Sequence, residues 1–216
     1  MISLPLSDIF AYLLLAARWT LLLSGIAFLF GGIGALLLLL WRYVQPRLGA
    51  RVARLYTELF QGTPLLLQLF LVFFGLPLLG VEVSPLLAAG VALTLYSTAF
   101  LSEIWRGCVD AIPRGQWDAS ASLGLNFLQQ MWDVILPQAL RIAIPPTVGF
   151  LVQLVKSTAL ASIVGFDELT KAGQIVTNAT FRPFTVYACV AFIYFALCYP
   201  LTLCARTLER QLARSR

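Results

Sequence analysis

The 216-residue sequence contains no histidine. That removes His-based catalytic triads, His general bases and His metal sites from consideration. Charge is also scarce. Asp, Glu, Lys and Arg together make up 12% of the residues, against about a quarter in an average soluble domain. The four cysteines, Cys108, Cys189, Cys198 and Cys204, form no CxxC pair and fall in or beside apolar runs. They read as small hydrophobes rather than metal ligands or a disulfide framework. No GxxxxGK[ST] loop occurs, so the chain cannot bind ATP by that route. An enzyme would need a clustered acid/base or metal set, and none is seen. The net charge of +5 comes from interspersed basic residues that flank apolar runs. Without a groove-reading motif it calls for no nucleic-acid partner.

What fills the chain instead is hydrocarbon: 60% of the residues are hydrophobic. Lipid rather than water must solvate much of such a surface. Crossing the hydrocarbon core takes about 20 predominantly apolar residues. Five stretches qualify, at about 19–41, 59–79, 85–105, 142–166 and 184–205. They use nearly the whole chain, so we expect an all-α integral membrane protein with one membrane domain, residues 1–216, and no soluble one. The head "MISLPLSDIF" has no basic residue, and the run from Trp19 to Trp41 is too long for a signal-peptide core. We therefore expect an uncleaved first span preceded by a short interfacial segment at about 7–17.

Orientation follows from the basic residues. Arg42, Arg47, Arg51 and Arg54 follow the first span, Arg106, Arg114 and Arg141 follow the third, and Arg206, Arg210, Arg214 and Arg216 follow the fifth. Lys171 and Arg182 stand on the other side. The positive-inside bias puts the N-terminus outside and the C-terminus in the cytoplasm, with five spans. Small residues such as Gly31 and Ala35 in "SGIAFLFGGIGA" (24–35) suit close helix approach, most simply within the subunit. Pro145 and Pro146 fall near the expected start of the fourth span, where missing N–H donors cost least.

Polar residues within apolar spans are costly and therefore informative. Gln61 and Gln68 fall in the second span, Ser97 and Glu103 in the third, and Lys156, Ser157 and Thr158 in the fourth. They satisfy one another across helices, or they line a polar path for a solute. Neither Gln68 nor Lys156 should face lipid.

One segment interrupts the apolar pattern: "GQWDASASLGLNFLQQMWDVILP", residues 115–137. Drawn as a helix, its Ser122, Asn126, Gln129, Gln130 and Asp133 share an arc of about 100°. It is too polar for a sixth span and too apolar for a free loop. We expect it on the cytoplasmic membrane surface, in two short helices if Gly124 and Asn126 break it, with its small residues open to a partner.

This segment resembles the cytoplasmic signature of bacterial ABC importer permeases, E-A-A-x-x-x-G followed by an apolar stretch and L-P. Here it reads Asp118-Ala119-Ser120, Gly124 and Leu136-Pro137. Three further stretches resemble the polar amino acid uptake subfamily, the histidine, glutamine, arginine and glutamate type: "LFQGTPLLLQLFLVFFGLP" (59–77), "AFLSEIWRGCVDAIPRGQWDAS" (99–120) and "LPQALRIAIPPTVGFLVQLVKSTAL" (136–160). The likeness runs in order from about residue 17 to 212.

The resemblance implies a type I ABC importer permease fold with five transmembrane helices, and a cytoplasmic coupling loop, 106–141, that carries coupling helices. It implies a homodimer, or a heterodimer with a paralogous permease, in membrane lipid. Two ATP-binding cassette subunits would hold ATP and Mg, and a periplasmic solute-binding protein would deliver an amino acid. The permease itself would bind no cofactor or metal and perform no covalent chemistry. Asp118, Ala119, Ser120, Gly124 and Pro137 would couple to the ATPase, with Ala119 and Gly124 small enough for close docking. Gln61, Gln68, Ser97, Glu103, Lys156, Ser157 and Thr158 would line the solute path. Gln61 stands where the family usually has Arg, which removes a charge near the cytoplasmic end of the second span, and Ser157 stands where some members have Asp, an acid that a paralogous partner could supply. The competing reading, a secondary transporter or channel subunit for small polar solutes, predicts an inverted repeat and buried ion-coupling acids. No repeat is visible, and Glu58 and Glu103 lie at span ends.

Overall fold

A computed structural model describes residues 5–214; Arg216, one of the arginines used above for orientation, lies outside them. The described residues form helices and no strands. Among the described residues four helices are long and apolar enough to cross a membrane, and a bent pair of shorter helices makes a fifth crossing when its two parts count as one span.

The first helix, α1 (Leu6–Val44), is unbroken. The expected interfacial segment and first span are therefore one helix of 39 residues. Ala16-Ala17-Arg18 offers strong helix formers and no cap at the expected junction. At 1.5 Å per residue α1 is about 58 Å long, roughly twice a hydrocarbon core of about 30 Å. Its two halves pack differently. Leu23 and Ala27 join Leu93, Leu101 and Leu154 in the central core, while Ile9 and Leu13 join Leu169, Val186 and Val190 in a second one.

The expected second span also differs. It consists of α2 (Leu48–Gly62) and α3 (Leu65–Leu78), which meet at 99°. The break has a local cause. Pro64 pushes Thr63 out of the helical region, to φ −115° and ψ 142°, and a Gly precedes it. Backbone freed in an apolar setting must find partners, and Gln68 provides them. Its Nε2 donates to Phe60 O at 2.8 Å, Thr63 O at 3.1 Å and Thr63 Oγ1 at 2.9 Å.

The third crossing, α4 (Pro85–Asp110), starts on Ser84, whose Oγ accepts the Leu87 N–H at 3.2 Å. It packs closely on α1. A side chain at Gly31 would run into Ser97, and one at Gly34 into Thr98. The small-residue stripe thus serves packing within the subunit. A short helix, α5 (Arg114–Ser122), follows.

The fourth crossing, α6 (Phe127–Val164), begins fifteen residues before its expected start at 142. An Asn126/Gln129 capping box opens it. Pro137, Pro145 and Pro146 all lie inside it, so the proline pair is not at its start. Residues Gln130–Ile135 adopt π-helical pairing, a widened turn just ahead of Pro137, which has no N–H to donate. At the other end Thr158–Val164 tightens to 3₁₀ helix and stops at Gly165, φ 89°. Two more helices complete the fold: α7 (Leu169–Thr180), which the hydropathy pattern did not suggest, and α8 (Pro183–Arg214). Exposed Leu29, Leu37, Leu71 and Phe192 form the kind of surface that lipid covers.

Candidate functional site

Arg42 after the first span and Arg106 after the third meet at Glu103, at one end of the bundle. Arg42 lies 3.9 Å from Glu103. Glu103 also pairs with Arg106 at 2.6 Å, and Arg106 with Asp110. Arg206 on α8 lines a cleft with Cys108 and Ile142. This arginine-rich end also carries α5.

Helix α5 is held by a small apolar core of its own. Val109 and Ile112 pack with Met131, Ile135 and Ala139 of α6, and Trp117 packs against them. Trp117 stacks on Phe127 with ring centroids 6.3 Å apart and planes 20° apart. Gln138 Nε2 donates to Gln116 Oε1 at 3.3 Å. The expected surface helix over 115–137 is therefore divided. Residues 114–122 form α5, and those from Phe127 onward begin α6.

The site residues of this segment separate by position. Asp118 and Ala119 are exposed on α5. Ser120 is buried, and its hydroxyl donates to Trp117 O at 2.8 Å, so it faces the subunit. Gly124 closes α5 with a φ of 77°. Leu125 N donates to Ser120 O at 3.3 Å and Gly124 N to Ala121 O at 2.9 Å. Together these two bonds are a Schellman cap, whose left-handed position favours glycine. A Cβ at Gly124 would meet nothing within 4 Å. Its backbone conformation therefore accounts for glycine, with no need of a close neighbour within the subunit. Pro137 is exposed, near the start of the α-helical part of α6.

The polar residues of the spans fall into separate groups. Gln68 is buried at the α2–α3 break, with its Oε1 unpartnered. Gln61 is exposed at the end of α2, and its amide donates to Ala99 O at 3.4 Å. Ser97 is fully buried against Gly31, and Glu103 is held by the two arginines. The Ser157 and Thr158 hydroxyls donate to Gln153 O and Val155 O. Lys156 is exposed on α6 and lines a cleft of about 690 Å³ between α6 and α8, together with Gly149, Thr202 and Arg206. Gln68 and Lys156 thus do not satisfy one another, and Lys156 is not buried within the subunit.

One polar residue escaped the sequence reading. Glu168 is 0% exposed and caps α7. "FDELT" carries an acid before a helix with an apolar face, which is a start signal, but the residue lies just beyond the expected fourth span. The cysteines are free; Cys108 and Cys198 are buried and Cys204 is exposed. Among the described residues no group of three or more His, Cys, Asp or Glu could hold a metal ion.

Comparison with known proteins agrees with this arrangement. Residues 27–214 match the family described as binding-protein-dependent transport system inner membrane component. The probable amino-acid ABC transporter permease protein YckA of Bacillus subtilis is 35% identical over 204 residues, which is 94% of this chain and 90% of YckA. The L-cystine transport system permease protein TcyB of the same organism is 36% identical, covering 91% of this chain and 84% of TcyB. A crystal structure of an amino acid ABC transporter with histidines has a chain that superposes with a TM-score of 0.90 at 29% identity, covering 97% of this chain and all of that one. An inward-facing structure of the MetNI methionine ABC transporter superposes at 0.73 with 23% identity over 93% of this chain and 96% of that one, a likeness of fold. The fold is thus that of type I ABC importer permeases. The chain belongs to the family of binding-protein-dependent transport system inner membrane components, the non-catalytic permease subunits of ABC importers.

Proposed function

We propose that the chain forms half of the translocation path of an ATP-driven importer for polar amino acids. It pairs with itself or a paralogue, in a bacterial inner membrane. Two ATPase subunits holding ATP and Mg act from the arginine-rich end, which is cytoplasmic, and a periplasmic solute-binding protein acts from the end where α1 begins. The residues form one permease domain. The N-terminus is then periplasmic and the C-terminus cytoplasmic, as the positive-inside bias requires.

The observation that carries this reading is the run from α5 into α6. Asp118 and Ala119 are exposed on a short helix packed rigidly by Trp117 and its neighbours, one glycine turn away from a helix that continues to Lys156 and beyond. A push on α5 from a closing ATPase pair is carried by α6, which at 1.5 Å per residue is about 57 Å long. Two global states with different affinities for nucleotide and solute are then biased by one lever. In the solute path Lys156 and Gln61 present polar groups, Gln68, Glu103, Ser157 and Thr158 shape it through their internal bonds, and Ser97 through its close packing on Gly31. Amino-acid cargo is supported by the names of the relatives.

The test is co-purification with the adjacent ATPase and receptor, followed by reconstitution in vesicles and a screen of solutes. Polar amino acids should stimulate ATP hydrolysis and accumulate inside. Stimulation by sugars or inorganic ions alone, or ATP-independent uptake, would overturn the proposal.

A further inference from the structure

Glu168 lies between α6 and α7, at the end of α6 remote from α5. It is 0% exposed in a membrane protein of low charge. A buried carboxylate is costly unless its oxygens are well bonded, and this one is bonded from three helices. Its Oε1 accepts the Lys171 N–H in the first turn of α7 at 2.9 Å. Its Oε2 accepts the Tyr194 hydroxyl of α8 at 2.8 Å and the Thr20 hydroxyl of α1 at 3.3 Å. The Thr20 oxygen in turn accepts the Leu169 N–H at 3.2 Å. Tyr194 has one proton and gives it to Glu168, so the Thr170 hydroxyl, 3.0 Å away, donates to the Tyr194 oxygen.

A helix start can be capped by a short Ser, Thr, Asp or Asn that stays with its own backbone. Glu168 does more, because its longer side chain reaches two other helices. The same three helices share a core around Leu169, Val186 and Val190. The joint is also short: only Gly165, Phe166 and Asp167 separate the 3₁₀ end of α6 from Glu168.

We infer that Glu168 is a positioning residue for transport, whose carboxylate clamps α7 to α1 and α8 so that these helices follow the far end of α6. The inference rests on the transport reading above. It adds that movement reaching the end of α6 is handed on through one charged joint.

The variant is Glu168→Gln in the complete transporter in vesicles, alongside Tyr194→Phe and Thr20→Val. Gln is nearly isosteric, but its amide nitrogen brings donors where the carboxylate accepted hydroxyl protons. All three variants should assemble and keep the basal ATPase rate. Receptor-stimulated ATPase and uptake should fall by about tenfold in Glu168→Gln, the factor that a lost bias of ~1.4 kcal/mol produces, and less in the two others. A wild-type ratio of stimulated to basal ATPase with normal uptake in Glu168→Gln would overturn the inference. So would equal loss of both rates together with loss of assembly, which marks a residue needed only for folding. Failure of the transport reading is distinct, since the wild-type complex would then show no stimulation at all.

Discussion

Gly124 separates two explanations of one residue. Either a partner needs a small side chain there, or the backbone needs glycine. The φ of 77° and the paired cap bonds from Gly124 and Leu125 favour the backbone. The left-handed region costs an ordinary L-residue about 1–2 kcal/mol, or roughly 5–30-fold in the equilibrium of the turn. An added Cβ meets no atom within 4 Å, so this strain is the main cost within the subunit. Asn tolerates the left-handed region better than Ala despite its greater size. Val, β-branched, tolerates it least. In vesicles containing the full transporter, ATP-coupled uptake should therefore rank glycine, Gly124→Asn, Gly124→Ala, Gly124→Val in falling order. If Gly124→Ala works normally and Gly124→Asn does not, size at a docking surface governs and the backbone argument is refuted.

Three further outcomes follow from the packing. Gly31→Leu forces α1 away from Ser97 and the Thr94 carbonyl, and should destabilise the subunit by about 1–3 kcal/mol or more, read as earlier thermal unfolding in detergent. Gln68→Leu leaves the Phe60 and Thr63 carbonyls without their donor, at a cost of about 1–3 kcal/mol, and protease should then cut the α2–α3 break faster; unchanged cleavage would show that Gln68 does not seal it. Lys156→Leu should lower uptake with assembly intact, because Lys156 is exposed and lines the α6–α8 cleft; uptake at normal affinity would make it structural.

Much of the fold was legible because hydropathy is a strong signal over 20 residues. The α4 helix over 85–110 follows from an apolar run with a Ser-Pro start. The misses have local causes. Continuous helix across residues 17–19 was hidden by Arg18, which looks like a boundary yet lies in an unbroken α1. The α2–α3 bend was written in Gly62-Thr63-Pro64, but a hydropathy window averages over it. The early start of α6 was obscured because Trp132 and Asp133 weaken the apolar average, although the Asn126/Gln129 capping box marks the true beginning. For the candidate site, the sequence located α5 but not which way its residues face. Ser120 reads like its neighbour Ala119, yet only Ala119 is exposed. Glu168 went unnoticed because its partners Thr20 and Tyr194 lie 148 and 26 residues away.

The central claim is that α5 is the joint to the ATPase, and Ala119 tests it most directly. It is exposed, whereas Ser120 beside it is buried, so a large side chain at 119 leaves the subunit's own packing alone and obstructs only a partner. With Ala119→Trp in reconstituted vesicles, the permease should insert and bind receptor normally while uptake is lost and ATP hydrolysis no longer responds to solute. Uptake and stimulation at wild-type levels in that variant would contradict the account.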